Sequence, residues 1–175
     1  SADICNDIWF YDANKGYAAC DRKVPSIIYT NDGGVHWSGS TVNLGPYSYT
    51  RVDIECIVAG SDANKACASG WGSSAAGLQP TIVVVTTDGG ATFNCPNTSY
   101  PWATYAYGYG FARFDDGEVM VVGGGGSSTA IQLSSVSPYS TWTRDPAFFG
   151  YELLDACALP GTDKVVAVGQ AGCIA

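Results

Sequence analysis

Apolar residues along this chain fall in short runs, each closed by a cluster of Gly, Asp, Asn or Ser. The runs Ile4 to Tyr11, Val52 to Ala59 and Ala103 to Phe114 are rich in β-branched or aromatic residues, and Tyr151 to Leu159 is a matching run rich in Leu and Ala. Runs of this kind, bounded by turn formers, predict strands. A second run follows each: Gly16 to Cys20, Ala66 to Gly70, Val119 to Gly123 and Val165 to Gly169. Run, turn and run predict a β-hairpin. Helical periodicity is weak, and glycine and β-branched residues are spread throughout, so no long helix is expected.

The hairpins repeat. Lys15-Gly16-Tyr17, Lys65-Ala66-Cys67, Glu118-Val119-Met120 and Lys164-Val165-Val166 align with a spacing of about 46 to 53 residues, the size of a propeller blade. Asp12-Ala13-Asn14-Lys15 recurs verbatim as Asp62-Ala63-Asn64-Lys65. A second repeat reads Thr-x-Asp-Gly-Gly-x-x-aromatic, from Thr30 to Trp37 and from Thr86 to Phe93. In it Thr30, Asp32, Gly34 and Trp37 match Thr86, Asp88, Gly90 and Phe93. An eroded copy runs from Ser135 to Trp142, with Ser137 in place of Asp and Tyr139 in place of the second Gly. The aspartate can accept backbone N–H groups in a tight turn, glycine supplies positive φ, and the aromatic can tuck under the hairpin.

The expected fold is therefore all-β. It is a β-propeller domain over residues 1–175, of about four blades with three to four antiparallel strands each. The blades are placed near residues 4–45, 50–99, 103–145 and 150–175, the last incomplete. A closed four-bladed ring and a part of a larger propeller both fit this count. An unclosed arc would leave sheet faces that call for a covering partner. Gly123 to Ser128 and Gly70 to Ala76 are expected as loops between strands.

Composition narrows the setting. The 175 residues carry 16 Asp plus Glu against 8 Lys plus Arg, a net charge of −8. That balance argues against nucleic acid as a partner, and no polybasic membrane patch or membrane-spanning run is present. Seven cysteines with no C-x-x-C spacing, and one histidine, give no zinc pattern. They fit an oxidising compartment, either secreted or an organelle lumen. The sequon Asn97-Thr98-Ser99 is a weak pointer the same way. Disulfide candidates are Cys5 with Cys20 and Cys56 with Cys67, each pair flanking a hairpin. The pairing of Cys95, Cys157 and Cys173 stays open.

The second repeat resembles the Asp-box, or bacterial neuraminidase repeat, found in sialidases, sortilin-type receptors and many secreted propellers. Asn14-Lys15-Gly16-Tyr17-Ala18 followed by a strand and Thr30 to Trp37 looks like the photosystem II assembly and stability factor family of the thylakoid lumen. The resemblance implies a propeller, a non-enzymatic assembly role and a lumenal setting. That family is associated with a basic patch, whereas this chain is acidic with four arginines, Arg22, Arg51, Arg113 and Arg144.

Candidate chemistry is sparse. A sialidase needs an arginine triad, and the Arg-Ile-Pro signature is absent. His36, the single imidazole, sits inside a repeat turn and reads as a variable position there. Asp32 and Asp88 read as turn residues rather than acids, and Asp115-Asp116-Gly117-Glu118 as a solvated turn rather than a Ca²⁺ loop. No catalytic residue, cofactor or metal is expected. The aromatic stretch holding Trp102, Tyr105, Tyr107 and Tyr109 is the candidate binding surface. The expected function is a non-catalytic scaffold or binding propeller, an accessory or assembly subunit acting on protein partners in a larger, photosystem-type complex. The alternative is a secreted carbohydrate-binding or glycosidase-like propeller with a glycan ligand.

Overall fold

The computed structural model describes residues 4–21, 26–45, 49–74, 79–96, 107–125, 129–135, 139, 141–145, 151–172 and 174. The chain is built of β-sheets stacked face to face. Sheet one runs β1 (Ile4–Phe10), β2 (Gly16–Asp21), β3 (Ile27–Thr30) and β4 (Ser38–Gly39). After β5 (Thr41–Asn43), sheet two holds β6 (Tyr49–Ala59), β7 (Ala66–Ser74), β8 (Thr81–Thr86) and β9 (Thr92–Asn94). Sheet three is β10 (Tyr107–Arg113), β11 (Val119–Gly125), β12 (Thr129–Ser135) and β13 (Thr143–Asp145). The fourth pairs β14 (Leu153–Ala158) with β15 (Val165–Gly169), and a short 3-10 turn, Gln170–Gly172, follows. Neighbouring strands within each sheet are antiparallel, with one exception: β5 lies parallel to β9, so the link out of sheet one adds an edge strand to sheet two.

Three apolar layers join the sheets. Tyr17, Ala19 and Ile27 of sheet one pack on Ile54, Ala66, Ala68, Val84 and Phe93 of sheet two. The opposite face of sheet two, with Cys56, Val58, Cys67 and Val85, packs on Phe111, Val119, Val121, Tyr139 and Trp142. Beyond it, Ala112, Phe114, Met120 and Val122 meet Leu153, Ala156 and Ala167 of the fourth sheet. A strand whose two faces both meet an apolar layer reads as a continuous apolar run rather than an alternation. That is why β8 and β11 are buried at every position.

The Thr-x-Asp-Gly-Gly turns close identically. Thr30 Oγ1 donates to Asp32 Oδ1 at 2.8 Å and accepts from Gly34 N at 3.0 Å. Asp32 Oδ1 also accepts from His36 N at 2.9 Å. In sheet two, Thr86, Asp88, Gly90 and Thr92 repeat these bonds at 2.8, 3.0 and 2.9 Å. The first glycine of each turn, Gly33 or Gly89, donates its N–H to the carbonyl of Asn14 or Asn64 at 2.9 Å. The two repeats seen in the sequence are thus fastened to each other inside each sheet. Gly34 and Gly90 have φ of 90° and 95°, and Tyr139 stands in the same place with φ 64°. The eroded copy keeps its latch: Trp142 Nε1 donates to Tyr139 O at 3.1 Å, as Trp37 Nε1 does to Gly34 O. Ser137 lies outside the described residues.

The glycine stretches differ from expectation. Gly70–Ser74 belong to β7 and Gly123–Gly125 to β11, so both are strand rather than loop as far as they are described. The cause is a bulge in each sheet's first strand, between Cys5 and Asp7, Ile54 and Cys56, Gly108 and Gly110, and Leu153 and Asp155. The bulge presses backbone onto the paired strand. A Cβ on Gly70, Gly123 or Gly169 would lie 2.0, 1.8 or 2.2 Å from the carbonyl oxygen of Asp53, Tyr107 or Glu152.

Candidate functional site

The bulges create a cleft. The first strands β1, β6, β10 and β14 lie side by side, and their bulged segments line an opening of about 540 Å³. Asn6 and Asp7, Glu55 and Cys56, Tyr109 and Gly110, and Leu154 and Asp155 reach it from the four sheets. A bulge turns an extra side chain out of the ladder, so one structural device repeated in each sheet supplies the lining.

Part of the lining is structural. Asp7 Oδ1 accepts from Ile8 N at 2.8 Å, and its Oδ2 accepts from Ile57 N at 2.9 Å, tying β1 to β6. Asn6 Nδ2 donates to Ile54 O at 2.9 Å across the same gap. Asp155 Oδ1 accepts from Ala156 N at 2.8 Å, the same local bond Asp7 makes.

Glu55 opens onto an aromatic ladder. Its Oε1 accepts from Trp71 Nε1 at 3.1 Å. The Arg51 guanidinium lies 5.2 Å from the Trp71 ring centroid on one side, and Tyr107 meets that indole edge-on at 5.6 Å. Tyr109 follows 5.8 Å from Tyr107, and the Tyr107 hydroxyl donates to Gln79 Oε1. Arg51 is anchored by Asp53 at 2.7 Å, with Asp21 at 3.6 Å. Burial pushes the Asp53 carboxyl up, and the Arg51 guanidinium opposes that shift. Burial, with Glu152 nearby, pushes the Tyr109 phenol up to about 12, so it is a neutral donor at physiological pH. The result is a half-buried row of Trp and Tyr flanked by a cation and carboxylates. Such a row can stack on planar or apolar groups while satisfying polar ones.

Tyr107 and Tyr109 of the expected binding surface are in this row; Trp102 and Tyr105 lie outside the described residues. Trp71, Arg51, Glu55 and Gln79 are additions. Trp71 and Arg51 carry a readable signal, the one aromatic of β7 and the one cation of β6, but their meeting depends on a bulge the sequence does not announce. The turn residues Thr30, Asp32, Gly34, Trp37, Thr86, Asp88, Gly90 and Phe93 are not among those lining the cleft. His36 is exposed, its Nδ1 2.7 Å from Asp32 Oδ2. The backbone and side-chain hydrogen bonds from His36 and the Thr30 hydroxyl hold the Asp32 carboxyl down at about 2.

Cysteine geometry separates the two expected pairs. Cys5 and Cys20 stand directly opposite in the β1–β2 register, with no disulfide between them. Cys56 stands opposite Ser69, and Cys67 opposite Val58, so that pair is diagonal rather than facing. Both are buried thiols, with Cys56 Sγ 3.7 Å from Ser69 O. Burial pushes both thiols well up. Asp115 and Asp116 accept N–H groups of Gly161 and Glu118 in exposed turns, and no metal-ligating cluster occurs among the described residues. No described helix is long and apolar enough to cross a membrane.

No protein-family model matches the sequence, and no curated protein matches it. Solved structures do. YCF48 bound to a D1 peptide superposes with a TM-score of 0.56 at 17% identity, over 98% of this chain and 48% of that one. An ancestral GH74 enzyme gives 0.66 at 14% identity, over 97% of this chain and 24% of its own. The GH74 xyloglucanase of Xanthomonas campestris gives 0.57 at 12%, over 89% and 25%. This chain therefore spans about half the YCF48 structure and about a quarter of each GH74 enzyme. At these identities the likeness carries architecture alone, and the architecture is that of a β-propeller.

Proposed function

We propose that this chain is a non-catalytic binding propeller, an accessory or assembly subunit that docks a segment of a protein partner. The observation that carries this reading is the Arg51–Trp71–Tyr107–Tyr109 row, whose Tyr109 end lines the cleft between first strands together with Glu55, the acceptor of the Trp71 indole N–H. Trp, Tyr and Arg are the residues that dominate binding energy at protein interfaces. YCF48, whose structure holds a D1 peptide, supports a peptide-type ligand for this architecture. The sequence resemblance points to a photosystem-type complex and the thylakoid lumen as the setting. The domain is taken as one unit over residues 1–175, and the Thr-x-Asp-Gly-Gly turns act as structural latches of Asp-box type.

The test is native electrophoresis of gently solubilised source material with mass spectrometry of each band, followed by reconstitution with Trp71→Ala and Arg51→Ala. Co-migration with a large assembly, lost in both variants while their circular dichroism is unchanged, is the expected result. Migration alone overturns the subunit reading. A second reading, a glycan-acting propeller, is favoured by Glu55 on an indole beside the cleft and by the GH74 likeness. Hydrolysis or binding of xyloglucan by the isolated chain, abolished in Glu55→Gln, would establish it instead.

A further inference from the structure

The four bulges share one pairing. The residue just before each bulge is Cys5, Ile54, Gly108 or Leu153, and it faces Cys20, Gly70, Gly123 or Gly169 on the second strand. In three sheets the second-strand residue is therefore glycine, and the cause is steric. A Cβ on Gly70, Gly123 or Gly169 would meet the carbonyl oxygen of Asp53, Tyr107 or Glu152 at 2.0, 1.8 or 2.2 Å. Among the four sheets, sheet one alone puts a side chain in that place. The side chain is a buried thiol, and the residue it faces is also a cysteine. A place that excludes a Cβ in three sheets is thus opened, in sheet one, for the side chain that can bond to its neighbour.

The backbone geometry suits such a bond. Cys20 N donates to Ser26 O at 2.8 Å, on the β3 side. Successive residues of a strand turn their N–H and C=O groups to opposite edges, so toward β1 Cys20 is a non-hydrogen-bonded position. Residues facing each other at such a position have Cα atoms about 4.5 Å apart and side chains at their closest. A disulfide needs Cα atoms about 4.4–6.8 Å apart. The other cysteines in described strands do not face one another: Cys56 stands opposite Ser69, Cys67 opposite Val58 and Cys157 opposite Val166.

We propose that Cys5 and Cys20 close into a cross-strand disulfide, a redox-controlled staple at the β1 wall of the cleft. The thiols of this structure are its reduced form. The step needs an oxidant, and a small disulfide such as oxidised glutathione supplies it. One cysteine thiolate attacks a sulfur of that disulfide and expels a glutathione thiolate. The second cysteine thiolate attacks the cysteine sulfur of the mixed disulfide and expels the other glutathione thiolate. Two cysteine thiols are oxidised, one glutathione disulfide is reduced, and the two cysteine protons end on the two expelled thiolates. The staple fixes the residue next to Asn6, whose Nδ2 donates to Ile54 O at 2.9 Å. It also lies two residues before Asp7, whose Oδ2 accepts from Ile57 N at 2.9 Å. Asn6 and Asp7 both line the cleft. Oxidation thereby locks to β2 the stretch of β1 that ties sheet one to sheet two.

Peptide mapping by mass spectrometry tests this on source material alkylated without reductant. The expected product is a Cys5 peptide linked to a Cys20 peptide, separating on reduction. Thermal unfolding of the 175-residue chain, oxidised with glutathione disulfide, reads the staple itself. A cross-link closing a loop of about 15 residues restricts the unfolded chain, so dithiothreitol should lower Tm by about 5–10 °C. Cys5→Ser and Cys20→Gly should both lose that difference. Cys20→Gly should still fold, because it installs the residue that the other three sheets carry in this place. Alkylation of both cysteines in source material, linkage of either one to a different cysteine, or a Tm unchanged by reduction overturns the proposal. So does a reduction-dependent shift that persists in both variants.

Discussion

Tyr139 offers a sharp test of how the sheets are held together. It is the residue that replaces the second glycine of the turn repeat, and it keeps that glycine's left-handed backbone, φ 64°. A tyrosine there costs about 1–2 kcal/mol relative to glycine, so something must offset it. Its side chain is fully buried. Its hydroxyl donates to Gly117 O at 2.8 Å and accepts from Ser61 N at 3.0 Å, joining the hairpin turns of sheets two and three. Tyr139→Phe keeps the ring and the backbone strain and deletes only these two bonds. A net hydrogen bond contributes about 1 kcal/mol, and a buried group stripped of its partner costs about 1–3 kcal/mol. The expected loss is about 2–3 kcal/mol. For a chain of this size that lowers Tm by about 5–10 °C. Tyr139→Gly provides the contrast, since it relieves the strain but loses the ring, and large-to-small core changes cost about 3–5 kcal/mol. Urea and thermal unfolding followed by circular dichroism and tryptophan fluorescence read both variants. If Tyr139→Phe unfolds within about 0.5 kcal/mol of the parent, the hydroxyl bridge is not what offsets the strain, and burial of the ring alone must do so.

Other consequences follow from the same geometry. Thr86→Val preserves shape but removes the hydroxyl that accepts from Gly90 N and donates to Asp88, so it should cost about 1–3 kcal/mol in urea unfolding. In acid, Asp32 is held at about 2 by bonds from His36 and Thr30, and Asp12 and Asp62 are lowered by their turn hydrogen bonds. Their folded values lie below the unfolded value of about 3.9. The stability they contribute is therefore complete above pH ~4 and lost as pH falls through the folded values toward 2; pH-jump circular dichroism checks the window. In the reduced chain a thiol reagent should label exposed Cys5 and Cys157 within minutes. Buried Cys56 and Cys67 should resist until the chain unfolds.

The repeats made the architecture legible. Asp12 to Lys15 and Asp62 to Lys65 marked equivalent turns, and Thr30 to Trp37 and Thr86 to Phe93 marked a second pair. Inside each sheet these turns touch through Gly33 with Asn14 and Gly89 with Asn64. Both are local devices of backbone and short polar side chains, which a sequence carries openly. The glycines misled because two physical causes produce the same letter. Gly34 and Gly90 are needed for positive φ, whereas Gly70 and Gly123 are needed for space in a strand. Only the folded backbone distinguishes them. The site was legible in part. Tyr107 and Tyr109 stood out as a cluster, yet the residues that complete the row, Arg51, Glu55 and Trp71, come from the neighbouring sheet.

The bulges connect these observations. A first strand without a bulge would alternate strictly, sending every side chain into one apolar layer or the other. A bulged strand gains one position that belongs to neither. Asn6, Glu55, Tyr109 and Leu154 occupy that position in the four sheets, and no two of them share a chemistry. The facing glycines Gly70, Gly123 and Gly169 meet a steric demand of the fold. The bulged residues meet none that their neighbours share. The repeated scaffold is thus maintained by the letters that recur, and under the binding role proposed above ligand choice would rest on the letters that do not. Substitution of Glu55 or Tyr109 should accordingly change what this chain binds before it changes how stably it folds.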